Sequence, residues 1–280
     1  MVLEQGFLFH TKVCFFDLDG CVYHGDRLSQ GIVPLLHQLR QRGISYAFLT
    51  NNSRLNGLEI KERLAVMGMD VLPDSIFTVT DIAGTYIKEK YGNVSVKTIG
   101  SASLARSVEQ AGHRTVSWND AGADVVVIGR DTEFHYGKLQ QIAADIMQGA
   151  CLIATNGDLY HPGVSGERIP ETGSLLAAIE AVTGVTVECI GKPEPYMFHY
   201  GMKQCGVSPE NCVMVGDNLD TDILGSIRAG LKSVWITNCS VDNPYTPSRE
   251  RITGIHPDIV VNSMEELYRI VAAETLTVKE

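Results

Sequence analysis

The apolar pattern of this chain alternates between short runs with no helical period and longer stretches that have one. Val13-Cys14-Phe15-Phe16 is the first short run, and it leads straight into Asp17-Leu18-Asp19-Gly20-Cys21. Such a run reads as a strand buried on both faces of a sheet. A polar loop over 21–30 precedes a helix over 32–42, whose apolar face carries Leu35, Leu36 and Leu39 and which Gly43 is placed to end. Residues 45–49 read as a second buried strand that stops at Thr50-Asn51-Asn52-Ser53, and 58–67 as an amphipathic helix stopped by Gly68. Strand, helix, strand, helix is the pattern of a parallel sheet with helical crossovers.

A different set of elements starts near Thr80. Helices are expected over 81–91, 102–111, 135–147 and 174–183, and strands over 94–99, 124–128, 151–155 and 186–190. Residues 156–173 read as a loop, too long for a casual connection in a compact domain. The last third opens on Gly191-Lys192-Pro193-Glu194-Pro195, with Pro195 suited to the first turn of a helix over 195–205. A strand over 212–215 then meets Gly216-Asp217-Asn218-Leu219-Asp220-Thr221-Asp222, followed by a helix to 229 that Gly230 ends. Strands over 233–236 and 258–261 come next. Ser263 with Glu266 forms a capping box for the final helix.

Three of these strands end in polar clusters: at Asp17 and Asp19, at Thr50 and Asn51, and at 217–222. In a parallel sheet those ends share one edge, where ligands bind in open α/β folds. Two acids at the mouth of a buried strand can hold a divalent cation. One can also attack phosphorus while the other carries a proton. Asp17 and Asp217 suit Mg²⁺, Thr50 offers a hydroxyl, and the amides after it can donate to phosphate oxygens. Lys192 follows the expected strand over 186–190 and can bring to that edge the fixed cation a transferring phosphoryl group needs. Taken singly, each piece has a plainer reading: a polar turn, a helix cap, a surface lysine, and for Asp220 a solvated or capping acid. Found together in this order, each at a strand end, they point to one site.

Composition narrows the class. With 280 residues the chain is long enough for two domains, and 44% apolar and 20% charged residues are ordinary for a globular protein. A net charge of -10 argues against nucleic acid as a partner. Seven cysteines without a Cys-x-x-Cys pair fit a reducing cytoplasm better than a disulfide framework or a zinc site. No signal peptide and no membrane-length apolar run is visible, so a cytoplasmic protein with no membrane partner is expected. No Gly-x-Gly-x-x-Gly follows the first strand, which removes a nicotinamide-binding reading.

The four clusters resemble the motifs of the haloacid dehalogenase superfamily of phosphatases, in particular its type IIA branch. Asp17-Leu18-Asp19-Gly20 is similar to the first motif and Phe48-Leu49-Thr50-Asn51-Asn52 to the second. Lys192 within Gly191-Lys192-Pro193 is similar to the third, and 216–222 to the fourth. Ala154-Thr155-Asn156-x-Asp158 and Gly173-Ser174 also resemble this branch. The resemblance implies an α/β fold: a Rossmann-like five-stranded parallel core from 1–79 and 188–280, with an α/β cap inserted over 80–187. It implies Asp17 as the nucleophile of an aspartyl-phosphate intermediate and Asp19 as the acid that protonates the leaving oxygen, then the base that activates water. It implies Mg²⁺ held by Asp17, the backbone carbonyl of Asp19 and Asp217, supported by Asp222. It implies that Thr50, Asn51 and Lys192 hold the phosphoryl group. Caps of this kind often pair, so the resemblance admits a homodimer, while the sequence leaves the oligomeric state open.

Two positions depart from the branch pattern: Cys21, where Thr or Val is common, and Gly157, where proline often stands. A buried Cys21 thiol is expected to be inert. Tyr160, His161, Glu167 and Arg168 in the long loop are candidates for reading the leaving group, and Arg168 for a second anion. His24 is a candidate for the entrance, Tyr196 and Phe198 read as core, and Trp118 and Trp235 carry no functional signal. The expected activity is hydrolysis of a small phosphorylated metabolite, with sugar phosphates, nucleoside monophosphates and phosphoglycolate as candidates. A phosphotransferase or phosphomutase on the same core and a non-catalytic phosphometabolite-binding regulator stay open as rivals.

Overall fold

The computed structural model describes residues 8, 10–162, 166–238 and 254–274. The chain divides into two compact units. The first draws on Met1–Thr50, Lys61–Ile76 and Lys192–Glu280, the second on Asn51–Ile60 and Phe77–Gly191.

In chain order the first unit opens with β1 (Val13–Phe16), a hairpin of β2 (Tyr23–His24) and β3 (Arg27–Leu28), α1 (Ile32–Gln41) and β4 (Ser45–Thr50), and the following α2 (Gly57–Val66) and β5 (Ile76–Thr78) each divide their residues between the two units. The second holds α3 (Val79–Tyr91), β6 (Ser95–Ile99), α4 (Ala102–Gln110), β7 (Arg114–Val116), β8 (Val125–Ile128), α5 (Tyr136–Met147), β9 (Cys151–Ala154), β10 (Tyr160–Pro162), β11 (Arg168–Pro170), α6 (Thr172–Thr183) and β12 (Glu188–Cys189). The chain then returns through α7 (Pro195–Cys205), β13 (Cys212–Gly216), α8 (Leu224–Arg228), β14 (Lys232–Ile236), β15 (Ile259–Val261) and α9 (Met264–Glu274).

The first sheet runs β15-β14-β13-β1-β4-β5. Its β1 pairs in parallel with β13 on one side and β4 on the other, with Phe16 level with Val215 and Phe48. The crossovers change direction at β1, which makes its carboxyl end the topological switch point where ligands bind in open α/β sheets. All four residues of β1 are buried, as a central parallel strand requires. The expected five-stranded core sheet is therefore corrected to six strands among the described residues. The extra edge strand, β5, has three residues behind a Pro73 turn, too few to show a period.

The second sheet is parallel, in the order β12-β9-β8-β6-β7, and β8 is buried throughout. Two borders follow from hydrogen bonds rather than from pattern. β12 pairs with β9, so the strand before Lys192 belongs to this second sheet and not to the first, as a single strand-end edge would have it. Residues 51–60 group here because Gly57 N donates to Asp81 Oδ2 (2.7 Å), Thr80 Oγ1 to the Asn52 carbonyl (2.9 Å) and Ser103 Oγ to Glu59 Oε2 (2.8 Å). The expected loop over 156–173 contains the antiparallel hairpin β10–β11, in which Arg168 lies 4.6 Å over the Tyr160 ring; residues 163–165 of that loop lie outside the described residues. Among the described residues no helix is long and apolar enough to cross a membrane.

The second unit carries one electrostatic feature that its apolar pattern hides. Lys97, in the middle of β6, is 0% exposed and its partner Asp145 on α5 is 1% exposed. The ammonium also donates to the Asp120 carbonyl at 2.7 Å, and Gln141 Nε2 donates to Asp145 Oδ1 at 3.3 Å. Removing one partner leaves a buried charge uncompensated, while removing both leaves an apolar site. Asp145→Leu is therefore expected to destabilise this unit by about 3–5 kcal/mol, and Lys97→Met combined with Asp145→Leu to recover most of that loss in chemical denaturation. A double variant as unstable as the single one would contradict this account.

Candidate active site

The site grows from two strand ends and two glycines. Asp17 N donates to the Val215 carbonyl at 2.9 Å, so the residue after β1 stays in register with β13. The chain then turns at Gly20, with φ 87°. A Cβ on Gly20 would sit 2.3 Å from Asp217 Oδ2, and one on Gly216 would sit 2.3 Å from Asp222 Oδ2. Both carboxylates can thus lie against bare backbone only because no side chain stands there. After Gly216 the chain passes through a single π-helical turn, Leu219–Ile223, instead of entering a regular helix directly. Its wide winding brings Asp222 back, so that Asn218 N donates to Asp222 Oδ2 at 3.1 Å. Asp220 is exposed and its amide is capped by Asn218 Oδ1 at 2.9 Å, which makes it a turn residue.

Lys192 closes the arrangement. It is 2% exposed, and its ammonium donates to Asp17 Oδ1, to Asp222 Oδ1 at 2.6 Å and to the Leu49 carbonyl at 2.9 Å. Three protons thus meet three acceptors drawn from the ends of β1 and β4 and from the π-helical turn. Burial works against the lysine's charge, but Asp17 and Asp222 outweigh it and its pKa is raised. Burial pushes Asp17 up as well, with Lys192 pulling the other way. Asp217 rises to about 7, first through burial and then through the charge on Asp222.

Oxygens of Asp17, Asp217 and Asp222 lie within 4.8 Å of one another. Three carboxylates facing one ammonium carry an excess of negative charge, and hard oxygens at this spacing match what a divalent cation takes from a protein. The donor set therefore fits a divalent metal.

Asp19 stands apart from that cluster. It is exposed, and Asp19 Oδ2 accepts from the Tyr23 hydroxyl at 2.8 Å. Thr50 is buried at the end of β4. Asn51, the next residue, groups with the second unit: its Nδ2 donates to Asp158 Oδ2 (3.1 Å), its carbonyl accepts from Asn156 Nδ2 (2.7 Å), and its side-chain oxygen lies where a Cβ on Gly191 would come within 2.5 Å. The Asn156-Gly157-Asp158 turn is held by Asp158 N donating to Asn156 Oδ1 at 3.1 Å. Cys21 is buried, and burial followed by the Asp17 charge raises its pKa well above the ordinary thiol value, so it stays an inert thiol.

Residues 11–230 match the family model of the haloacid dehalogenase-like hydrolases. The chain belongs to the haloacid dehalogenase-like hydrolases. It is 32% identical over 227 residues to an acid sugar phosphatase of Staphylococcus epidermidis, which covers 81% of this chain and 86% of that protein. An acid sugar phosphatase of Staphylococcus aureus strain USA300 is also 32% identical, over 225 residues, 80% of this chain and 86% of its own length. Among solved structures, the 4-nitrophenylphosphatase from Thermotoga maritima superposes with a TM-score of 0.84 at 30% identity, covering 94% of this chain and 98% of that one. NagD from Escherichia coli K-12 gives 0.81 at 25% identity, covering 91% and 98%. Within the haloacid dehalogenase-like hydrolases the chain stands with the phosphatases.

Four parts of this hydrolase site were not legible in sequence. Trp235, on β14, carries no signal as a lone aromatic, yet its Nε1 donates to the Asp217 carbonyl at 2.9 Å. Asn238, with φ 48°, donates through Nδ2 to the Gly20 carbonyl at 2.7 Å. Both lie beyond the residues the family model matches, and they tie down the two loops that carry the acids. Tyr23, in what reads as a polar loop, is fully buried against Asp19. The close approach at Gly216 was equally invisible, because a glycine at a strand end is commonplace. Gly216→Ala must push Asp222 by the order of an ångström, so phosphatase activity is expected to fall roughly 100-fold with the melting curve still cooperative. Near-normal turnover in that variant would show that the Asp222 position tolerates such a shift.

Proposed function

We propose that this hydrolase is a magnesium-dependent phosphatase of small phosphomonoesters that works through an aspartyl-phosphate on Asp17. The observation that carries the reading is the buried Lys192 ammonium, bonded to Asp17 and Asp222 beside a third carboxylate, Asp217. Asp17 Oδ1 is committed to Lys192, which leaves Asp17 Oδ2 to attack phosphorus. The Lys192 charge opposes the burial that raises Asp17, and it offsets charge on the transferring phosphoryl group. Asp19, outside the cluster and exposed, protonates the leaving oxygen and then takes a proton from the attacking water. Thr50, buried at the end of β4, and Asn51, the residue after it, hold phosphoryl oxygens.

Asp17, Asp217 and the Asp19 backbone carbonyl are the proposed magnesium ligands, with Asp222 in support. The ion, when bound, supplies positive charge that a phosphate dianion and three carboxylates otherwise lack. The second unit is read as the cap. Sugar phosphates are the favoured substrate class because relatives in sequence are named acid sugar phosphatases, with nucleoside monophosphates and phosphoglycolate next. Cys14, Cys21, Cys151, Cys205 and Cys212 form no disulfide, which supports a reducing compartment such as the cytoplasm.

A panel of phosphomonoesters assayed for phosphate release tests the chemistry. Release is expected to require Mg²⁺, to stop on chelation and return on adding the ion back, and to fall to background in Asp17→Asn. A nucleophile variant with near wild-type rate would rule out the aspartyl-phosphate. Asp217→Asn is expected to raise the Mg²⁺ concentration for half-maximal rate roughly 10–100-fold. A metal titration that superimposes on wild type would remove Asp217 from the ligand set. If no ester is hydrolysed but an added alcohol becomes phosphorylated, the protein is a phosphotransferase.

A further inference from the structure

We propose that Tyr23 is a positioning residue for Asp19 and that it decides which carboxyl oxygen of Asp19 handles the proton. The inference rests on the reading of Asp19 as acid and base.

The turn that carries Asp19 also carries Tyr23. Tyr23 N donates to the Leu18 carbonyl at 3.1 Å, and Gly20 N donates to the Tyr23 carbonyl at 2.8 Å. The phenol ring is fully buried, with the Arg63 guanidinium 4.6 Å over its face. Arg63 Nη1 donates to the Tyr23 hydroxyl oxygen at 3.3 Å, and Arg63 Nη2 donates to the Gly25 carbonyl at 2.8 Å. A guanidinium only donates and a phenol has a single proton. With Arg63 supplying a proton to the hydroxyl oxygen, the hydroxyl's own proton goes to Asp19 Oδ2 at 2.8 Å. The order Arg63 to Tyr23 to Asp19 therefore has one polarity.

That polarity separates two otherwise equivalent oxygens. Asp19 Oδ2 is engaged by the Tyr23 hydroxyl, which leaves Asp19 Oδ1 as the oxygen that faces the reacting group. In the first step Asp17 Oδ2 bonds to phosphorus, and the phosphorus–oxygen bond to the leaving group breaks with its electron pair staying on that oxygen. The Oδ1 proton moves to it, which yields the alcohol, the aspartyl-phosphate and the Asp19 carboxylate. In the second step Asp19 Oδ1 takes a proton from water as its oxygen bonds to phosphorus. The bond to Asp17 breaks, returning its carboxylate and releasing phosphate. Tyr23 keeps its own proton through both steps and holds the carboxyl group in one rotamer, which a merely exposed aspartate would not keep.

The test uses two substrates that differ in their need for an acid. Nitrophenolate leaves as a stabilised anion, whereas the sugar alkoxide of glucose 6-phosphate does not. Because kcat/KM reports the first phosphoryl transfer, the quantity read is its ratio between 4-nitrophenyl phosphate and glucose 6-phosphate, in wild type, Tyr23→Phe, Arg63→Met and Asp19→Asn. The ratio is expected to rise about 10-fold or more in Tyr23→Phe, further in Asp19→Asn, and by less but in the same direction in Arg63→Met. If Tyr23→Phe does not fold, Arg63→Met carries the test. A purely structural role for Tyr23 would lower both substrates together and leave the ratio unmoved. An unmoved ratio in the Tyr23 and Arg63 variants beside a raised ratio in Asp19→Asn overturns the positioning role while the acid stands. An unmoved ratio in Asp19→Asn overturns the acid and the positioning role with it.

Discussion

The buried ammonium of Lys192 is the interaction on which the rest of the first unit's site depends. It bonds the carboxylates of Asp17 and Asp222 and the carbonyl of Leu49, residues 175, 30 and 143 positions away along the chain. A single charge out of water thereby ties the ends of β1 and β4 to the turn after β13. Its cost is offset only while all three acceptors stay in place. The same cation leaves the site short of positive charge, since Asp217 adds a third carboxylate. The shortage shows in Asp217 itself, which burial and its neighbour Asp222 lift to about 7. Structure and proposed chemistry therefore meet in one electrostatic imbalance: three carboxylates share one fixed cation, and the proposed divalent ion would balance the remainder.

Backbone supports that imbalance where side chains would have obstructed it. Gly20 and Gly216 lend their surfaces to the carboxylates of Asp217 and Asp222. Each loop is then anchored from the far end of β14, by Trp235 on the Asp217 carbonyl and by Asn238 on the Gly20 carbonyl. Asn238 takes up a left-handed backbone conformation that asparagine tolerates better than most residues. Asp19 is served differently. It stays exposed, outside the charged cluster, and is steadied by a neutral hydroxyl that adds no charge of its own. The acid and base role proposed for Asp19 suits a carboxyl group outside the cluster of Asp17, Asp217, Asp222 and Lys192.

Much of this was readable before any coordinates, and the pattern of failures has a physical cause. The periodic helix around Leu35, Leu36 and Leu39 and the unbroken apolar runs of β1 and β8 announce themselves because burial selects the same residue type repeatedly. The hairpins β2–β3 and β10–β11 and the edge strands β5 and β7 have two or three residues each, and no period can be read in so few. Lys97 was hidden for the opposite reason. It occupies an interior strand position where the pattern calls for an apolar residue, and only Asp145, 48 residues on, makes it tolerable.

The sequence by itself determined the family, and it displayed the candidate acids and the candidate lysine in order, each placed where an apolar run ends. Those features are local, and local spacing is what a single chain displays. Tertiary structure alone decided the partnerships. It put the Tyr23 hydroxyl on Asp19, Trp235 on the Asp217 backbone, Asp158 on the Asn51 amide, and the strand before Lys192 in the second sheet. Each of these depends on a distance between residues far apart in the chain or on the direction of one hydrogen bond. Neither leaves a mark on residue type until the chain is folded.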